Sequence, residues 1–303
     1  MSVVYSSVIK SALKKTLNAI ITDNTDGVEA KAVFKQWCEV KGMEDQYEDD
    51  LEVGGPGLAS EKSEGATMTT GTIQEGYITR YLARTFGLKL IISEEAMDDN
   101  KYPKVIQAAR RLKRAMWKTA DIDATNMLVR MANTSYVGGD DQPLASASHT
   151  LPSGGTFSNR MPTAMSPSRA AVIQARSATM RLPDHDGVTE GYDLEKVVCP
   201  YDQWAVWQGL VMSEKAPEPG NFSEINVVKD LGLKVVPVKY WNNTTVDYVF
   251  ITEAEGGLQF RWRKRPKAQT WQDNDPLLTN HSIHSRWARG WSDPRGAYCV
   301  VSE

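Results

Sequence analysis

The sequence predicts an α+β protein, and three stretches of it carry that prediction. Asp98 to Ala132 reads as one long helix. Glu44 to Leu82 reads as an acidic run followed by a long Gly/Ser/Thr-rich loop and a strand-like stretch. Met165 to Gly256 alternates short helices with short strands, the pattern of a compact α/β lobe. The long helix has Pro103 near its start, where the missing N–H costs little, and then no Gly or Pro as far as Ala132. Val105, Ala109, Leu112, Met116, Ala120 and Met127 recur at helical spacing and mark its inward side. At about 1.5 Å per residue it should span roughly 45 Å. Its first half is basic on the other faces, through Lys104, Arg110, Arg111, Lys113, Arg114 and Lys118 with no acid between them. Those residues make either a solvated face or a girder whose basic side meets an acidic neighbour.

Taken in order, Ser6 to Ile21 has an apolar stripe of Ile9, Leu13, Leu17 and Ile20, which predicts a terminal amphipathic helix. A second helix is expected over Val28 to Lys41, with Val33, Phe34, Trp37 and Val40 inward and Gly42 as its stop. The acidic run Glu44, Asp45, Glu48, Asp49, Asp50 and Glu52 leads into Gly54-Gly55-Pro56-Gly57, which cannot be regular structure. From Leu58 to Gly76 there are too few apolar residues for a core. Read as an extended two-stranded arm, this segment leaves the protein body and needs a partner to lie on; read as disorder, it does not. Strands return at Tyr77 to Leu82 and at Leu88 to Ile92. Ser93 with Glu94 and Glu95 can cap a short helix before the long one. In the lobe, Ser166-Pro167 opens a helix to about Met180, Val197-Val198 is a strand, and Pro200 to Met212 is a helix with Trp204, Trp207 and Val211 inward. Gly232 to Val238 and Val246 to Thr252 are strands, and Leu258 to Val301 alternates in strand fashion.

Composition narrows the function. The chain has 303 residues, 41% hydrophobic and 24% charged, with a net charge of −3, which argues against a dedicated nucleic-acid binder. No apolar run reaches the roughly 18–20 residues of a membrane span, and Lys10, Lys14 and Lys15 interrupt the only stretch that could serve as a signal peptide. Cys38, Cys199 and Cys299 lie far apart and offer neither a disulfide framework nor a zinc knuckle. His281 and His284 form an H-x-x-H pair without a Glu or Cys at useful spacing, and His149 sits in a Gly/Ser/Pro-rich loop where a structural hydrogen bond is expected. No catalytic constellation, metal site or cofactor site can be assembled, so no cofactor is expected.

The surface signals point to association. Arg261, Arg263, Lys264, Arg265, Lys267, Arg286, Arg289 and Arg295 interleave with Trp262, Trp271, Trp287 and Trp291, a mixture used both by single-strand grooves and by protein interfaces. Net charge favours the interface. The acidic run offers a complementary surface, within one chain or between copies. The candidate inter-subunit contacts are therefore Glu48, Asp49, Asp50, Lys62, Arg110, Arg114, Arg261, Arg263, Arg286 and Trp287.

The order of parts resembles that of the major capsid proteins of tailed bacteriophages, the Hong-Kong-type fold. Ser93-Glu94-Glu95 into Asp98-Asp99-Asn100-Lys101-Tyr102 resembles the entry to that family's spine helix. Ser148-His149-Thr150-Leu151-Pro152 with Gly154-Gly155-Thr156-Phe157-Ser158-Asn159 resembles the segment after the spine helix in Mu-like major head subunits. Val197-Val198-Cys199-Pro200, and Gly232 to Val238 before Asp247-Tyr248-Val249-Phe250, resemble axial-lobe strands. The resemblance implies an N-terminal arm at 1–28, a peripheral domain at 29–52 and 83–164 with its spine helix at 98–132, an extended loop at 53–82, an axial domain at 165–257, and a return to the peripheral domain at 258–303. It implies a homo-oligomer of pentamers and hexamers closing an icosahedral shell around double-stranded DNA, with no sequence-specific binding and no membrane. Such a shell is a virion component, assembled in the host bacterial cytoplasm alongside portal and decoration proteins. Because the sequence lacks a long helical N-terminal extension, a separate scaffolding protein, or none, and no N-terminal processing are expected. Lys62 is the only lysine of the extended loop, but no crosslinking partner can be named. Two alternatives stand beside this reading: an encapsulin-like nanocompartment shell, and an α/β enzyme with a mobile loop at 50–82. A nucleic-acid module built on the C-terminal Trp/Arg stretch is a weaker third.

Overall fold

The computed structural model describes residues 19, 27–93, 102–215, 225–242, 246–274 and 277–302. The expected helix at Ser6–Ile21, residue 19 apart, and the short helix expected after Ser93 fall outside them. From the N-terminal side the chain forms β1 (Glu39–Gly42), β2 (Tyr47–Val53), β3 (Glu75–Leu82), β4 (Arg84–Ser93) and the long helix α1 (Tyr102–Val129). A short ladder of β5 (His149–Thr150) and β6 (Thr156–Phe157) follows, then α2 (Arg169–Thr179), β7 (Leu194–Pro200), α3 (Trp204–Met212), β8 (Lys234–Val238) and β9 (Tyr248–Thr252). A long hairpin of β10 (Leu258–Asn274) and β11 (Leu277–Trp291) leads to β12 (Ala297–Val300).

Two four-stranded sheets organise the body, one in the order β1-β10-β11-β4 and one in the order β12-β9-β7-β8. The helix α1 packs on the first. All six of its predicted inward residues are buried. They meet an aromatic cluster on the sheet, where Phe86 stacks on Trp287 at 3.9 Å and Trp117 meets Trp262 edge-on at 5.5 Å. Two carboxylates near the end of α1 tie it further. Asp121 accepts the Phe34 N–H at 3.0 Å, while burial holds its carboxyl above the usual range. Asp123 accepts the Trp287 indole N–H at 2.9 Å and pairs with Arg84 at 3.1 Å. Arg289 Nε is 3.0 Å from Asp123, near enough for ion pairing although its N–H is not aligned for a hydrogen bond. Pro266, which cannot donate to a ladder, falls where the β10–β11 register slips between Lys264 and Lys267.

The second sheet is buried on both faces. Val197, Tyr248, Phe250 and Val300 face α2 and α3, whereas Val198, Val236, Val249 and Ile251 face the core of the first sheet. This explains why β9 and β12 are buried along their whole length instead of alternating. Asn159 links loops at the junction, its amide donating to the carbonyls of Leu144 and Pro294 at 2.6 and 2.9 Å. His149 bridges Asp140 and Asn159 at 2.6 and 3.1 Å, a structural role.

Several expectations change. Residues 28–41 do not form a helix: Val33–Gln36 is a single 3-10 turn, and β1 then pairs in parallel with β10. Phe34 and Trp37 are buried as expected, but Val40 is on an exposed edge strand, because pairing with a distant strand outweighs local periodicity. Lys113, expected on the solvated face of the long helix, is buried. Ser168, two residues later than expected, caps α2 by accepting the Ala171 N–H. Tyr201–Gln203 is a 3-10 turn before α3, and Trp204 is exposed while Trp207 and Val211 are inward. β12 joins the second sheet instead of returning with the hairpin to the first, because its four residues are buried against β9.

Trp287→Ala should lower unfolding stability by about 3–5 kcal/mol, since it empties a fully buried site and removes one hydrogen-bond donor from Asp123. Trp204→Ala should cost less than about 1 kcal/mol. Urea midpoints of the two variants test this contrast.

Candidate assembly surface

β2 and β3 form an antiparallel hairpin apart from both main sheets, with Tyr47 opposite Leu82, Asp49 opposite Arg80 and Leu51 opposite Ile78. The loop between them, 54–74, has no regular strand and is almost entirely exposed. Strand alternation sorts the acidic run by face. Glu48, Asp50 and Glu52 turn toward the body, where two buried arginines meet them. Arg261, on β10, reaches Glu48 at 3.3 Å and also bonds Asp50, while Gln259 accepts from its Nε at 2.8 Å. The Tyr81 ring lies 3.9 Å from the Arg261 guanidinium, and the Tyr81 hydroxyl is 2.8 Å from Ser292 Oγ. Arg295, in the turn after β11, bonds Glu52 and pairs with Asp293 at 2.9 Å. His185 lies 2.8 Å from Glu52. Burial would push Glu52 up, but the His185 hydrogen bond and the Arg295 charge together hold its carboxyl below the usual range. Asp293 shares the same guanidinium, and burial leaves its carboxyl raised.

The outer face of the hairpin is different in kind. Tyr47, Leu51, Val53, Ile78 and Leu82 are each between 39% and 59% exposed. Between them Asp49 takes a two-pronged contact from Arg80 at 2.6 and 2.7 Å, and the Arg80 hydrogen bond lowers the Asp49 carboxyl. A ladder of exposed apolar pairs on a projecting hairpin is the mark of a surface meant to be covered.

Of the residues singled out in the sequence, Glu48, Asp50 and Arg261 come together inside one chain, and Asp49 pairs across the hairpin with Arg80. Lys62 is exposed in the loop, and Arg110 and Arg114 are exposed on α1 without a carboxylate partner among the described residues. Arg263 donates to the Glu44 carbonyl, and Arg286 is half-buried on β11. Trp287 is a core residue and presents no surface. Sequence reasoning did not assign Glu52, His185 and Arg295 as a cluster. Asp293 does accept the Arg295 N–H at 2.8 Å, a local cap motif, but His185 lies 110 residues away with no local signal.

Among the described residues no cluster of His, Cys, Asp and Glu could hold a metal ion, and no helix is long and apolar enough to cross a membrane. His281 is buried beside Thr270 at 2.6 Å, and three residues along a strand place His284 on the opposite face. All three cysteines are buried, and burial raises their thiols, that of Cys199 to about 12.

Residues 76–300 match a family model described as phage capsid protein. The chain belongs to this family. Among solved structures it is similar to that of Mycobacterium phage Adephagia, at 11% identity and TM-score 0.56 over 90% of each chain. It is also similar to the capsid of Myoviridae phage XM1, at 12% identity and TM-score 0.54 over 90% of this chain and 92% of that one. A virus-like particle from Pyrococcus furiosus is similar at 8% identity and TM-score 0.54, over 95% of this chain and 98% of that one. No curated protein matches the chain. This phage capsid protein has the Hong-Kong-type α+β fold and is a major capsid subunit, a structural protein of the icosahedral virion shell.

Arg295→Met should destabilise the fold by about 3–5 kcal/mol, because two buried carboxylates lose their cation. Arg80→Met should leave the urea midpoint unchanged, since its pair with Asp49 is exposed to solvent. Denaturation curves of both variants check the difference.

Proposed function

We propose that the chain builds pentamers and hexamers that close around double-stranded DNA, with the β2–β3 arm of each subunit lying across its neighbour. The observation that carries this reading is the uncovered apolar face of the arm, held away from the body by a charged root. In this arrangement the lobe at 165–257 is the axial domain at the centre of each capsomer. The long helix and the β10–β11 hairpin form the peripheral domain. Lys62 on the loop, Arg110 and Arg114 on the helix, and Arg263 and Arg286 on the hairpin contact adjacent subunits. Assembly takes place in the host bacterial cytoplasm, with scaffolding, portal and decoration proteins as further partners and no enzymatic step by this chain. DNA is enclosed without sequence-specific contacts, in keeping with the net charge of −3.

Negative-stain electron microscopy of the expressed chain, with and without its neighbouring genes, should show closed shells or rings of five and six. A uniform monomer or dimer that stays unassembled when concentrated and given its neighbouring genes would overturn the reading. Leu51→Asp with Ile78→Asp, on the outer face of the arm, should abolish shells while leaving the subunit's thermal midpoint nearly unchanged. The free subunit should bind DNA weakly, and a steep fall of that binding with salt would count against passive enclosure.

A further inference from the structure

A groove of about 1110 Å3 runs between the root of the arm, the open edge of β1 and the loops of the second lobe near 184–196 and 252–257. It is acidic. Asp184, Glu190, Glu253 and Glu255 line it without a cationic partner among the described residues. The basic groups in the groove are already engaged, Lys41 by Glu39 at 2.9 Å, Lys196 by Glu195 at 3.6 Å, and His185 by Glu52 at 2.8 Å. A second feature is independent of charge. Trp37 Nε1 and Gln259 Nε2 are buried donors without an acceptor among the described residues, on residues only 3% and 0% exposed that line the same groove. Buried donors rarely stay unpaired. An occupant that completes this groove brings positive charges in a row.

The chain itself carries such a surface. On α1, Lys104, Gln107, Arg111 and Arg114 follow one another at steps of three and four residues and are all exposed. They form one stripe about 15 Å long. None has a carboxylate partner among the described residues. The other basic surface, on the β10–β11 hairpin, is partly neutralised within the chain, since Arg261 pairs with Asp50 and Arg265 with Glu29.

We propose that the acidic groove of one subunit receives the exposed Lys104–Arg114 stripe of the long helix from a second copy of the chain. The proposal rests on the shell reading and names the surfaces that meet. Opposite charge across this contact sets the register between copies and rejects other approaches, because like charges forced together are costly.

Charge exchange tests it in the full chain, read as the fraction of protein in shells by sedimentation and electron microscopy. Arg111→Glu with Arg114→Glu should lower that fraction at least about tenfold, and so should Glu253→Lys with Glu255→Lys. All four changes combined should restore assembly. The milder pair Arg111→Gln with Arg114→Gln gives an intermediate loss and keeps the test readable if the reversed helix folds poorly, with far-ultraviolet circular dichroism reporting the fold. Normal assembly of either reversed pair would overturn the proposal, as would failure of the combined variant to regain shells while it remains folded. Rescue of the groove variant by Lys264→Glu with Lys267→Glu on the hairpin, and not by the helix changes, would overturn it as well. If the unmodified chain expressed with its neighbouring genes forms no shells, the shell reading fails; if it forms shells but the exchange does not rescue, only this pairing fails.

Discussion

Two buried arginines hold the arm to the body, and much of the architecture follows from them. Arg261 and Arg295 lie under the hairpin root with 7% and 2% of their side chains exposed, and the acids of β2 come down onto them. A buried guanidinium without a carboxylate is expensive, so these contacts fix the register of the hairpin more firmly than its few apolar contacts could. A slip of one residue would turn Glu48, Asp50 and Glu52 outward and press Leu51 and Val53 onto the two cations.

The consequence is a strand pair whose amphipathicity is inverted. In an ordinary surface hairpin the apolar face meets the core and the charges meet water. Here the charges meet the body and the apolar side chains face outward. An isolated subunit built this way carries a standing reason to associate. The polar root also lets the arm be defined before a neighbour arrives, so less ordering remains for assembly to offset. The body behind it rests on the second sheet, whose two faces are buried in two separate apolar clusters, and on Asp121 and Asp123, which bind α1 to the turn at Phe34 and to the sheet at Trp287.

Legibility in the sequence followed the range of the interaction. The inward face of α1 was readable because helical periodicity repeats over seven turns, and the strands at 194–200, 234–238 and 248–252 were readable because runs of β-branched and aromatic residues have few other uses. Residues 28–41 misled because Val33, Phe34, Trp37 and Val40 also fit a helical spacing; the parallel pairing of β1 with β10, more than two hundred residues on, decided otherwise. Lys113 misled in the same way, since periodicity cannot show that a lysine inside a basic run is buried by tertiary packing.

The sequence by itself determined the α+β class, the long helix and the order of parts that resembles a phage capsid subunit, because each of these is written in local composition and period, and it left the segment after the acidic run open between an arm and disorder. It also showed that an acidic run and a basic stretch are complementary, without saying whether one chain or two would satisfy them. Only the tertiary structure decided that Glu48, Asp50 and Glu52 are neutralised within the chain while the acids of the groove and the cations of α1 are left over. Glu48, Asp50 and Glu52 find their arginines 213, 211 and 243 residues away. Charge attraction has no period along a chain, so its partners become visible only when the fold brings them within a few ångströms.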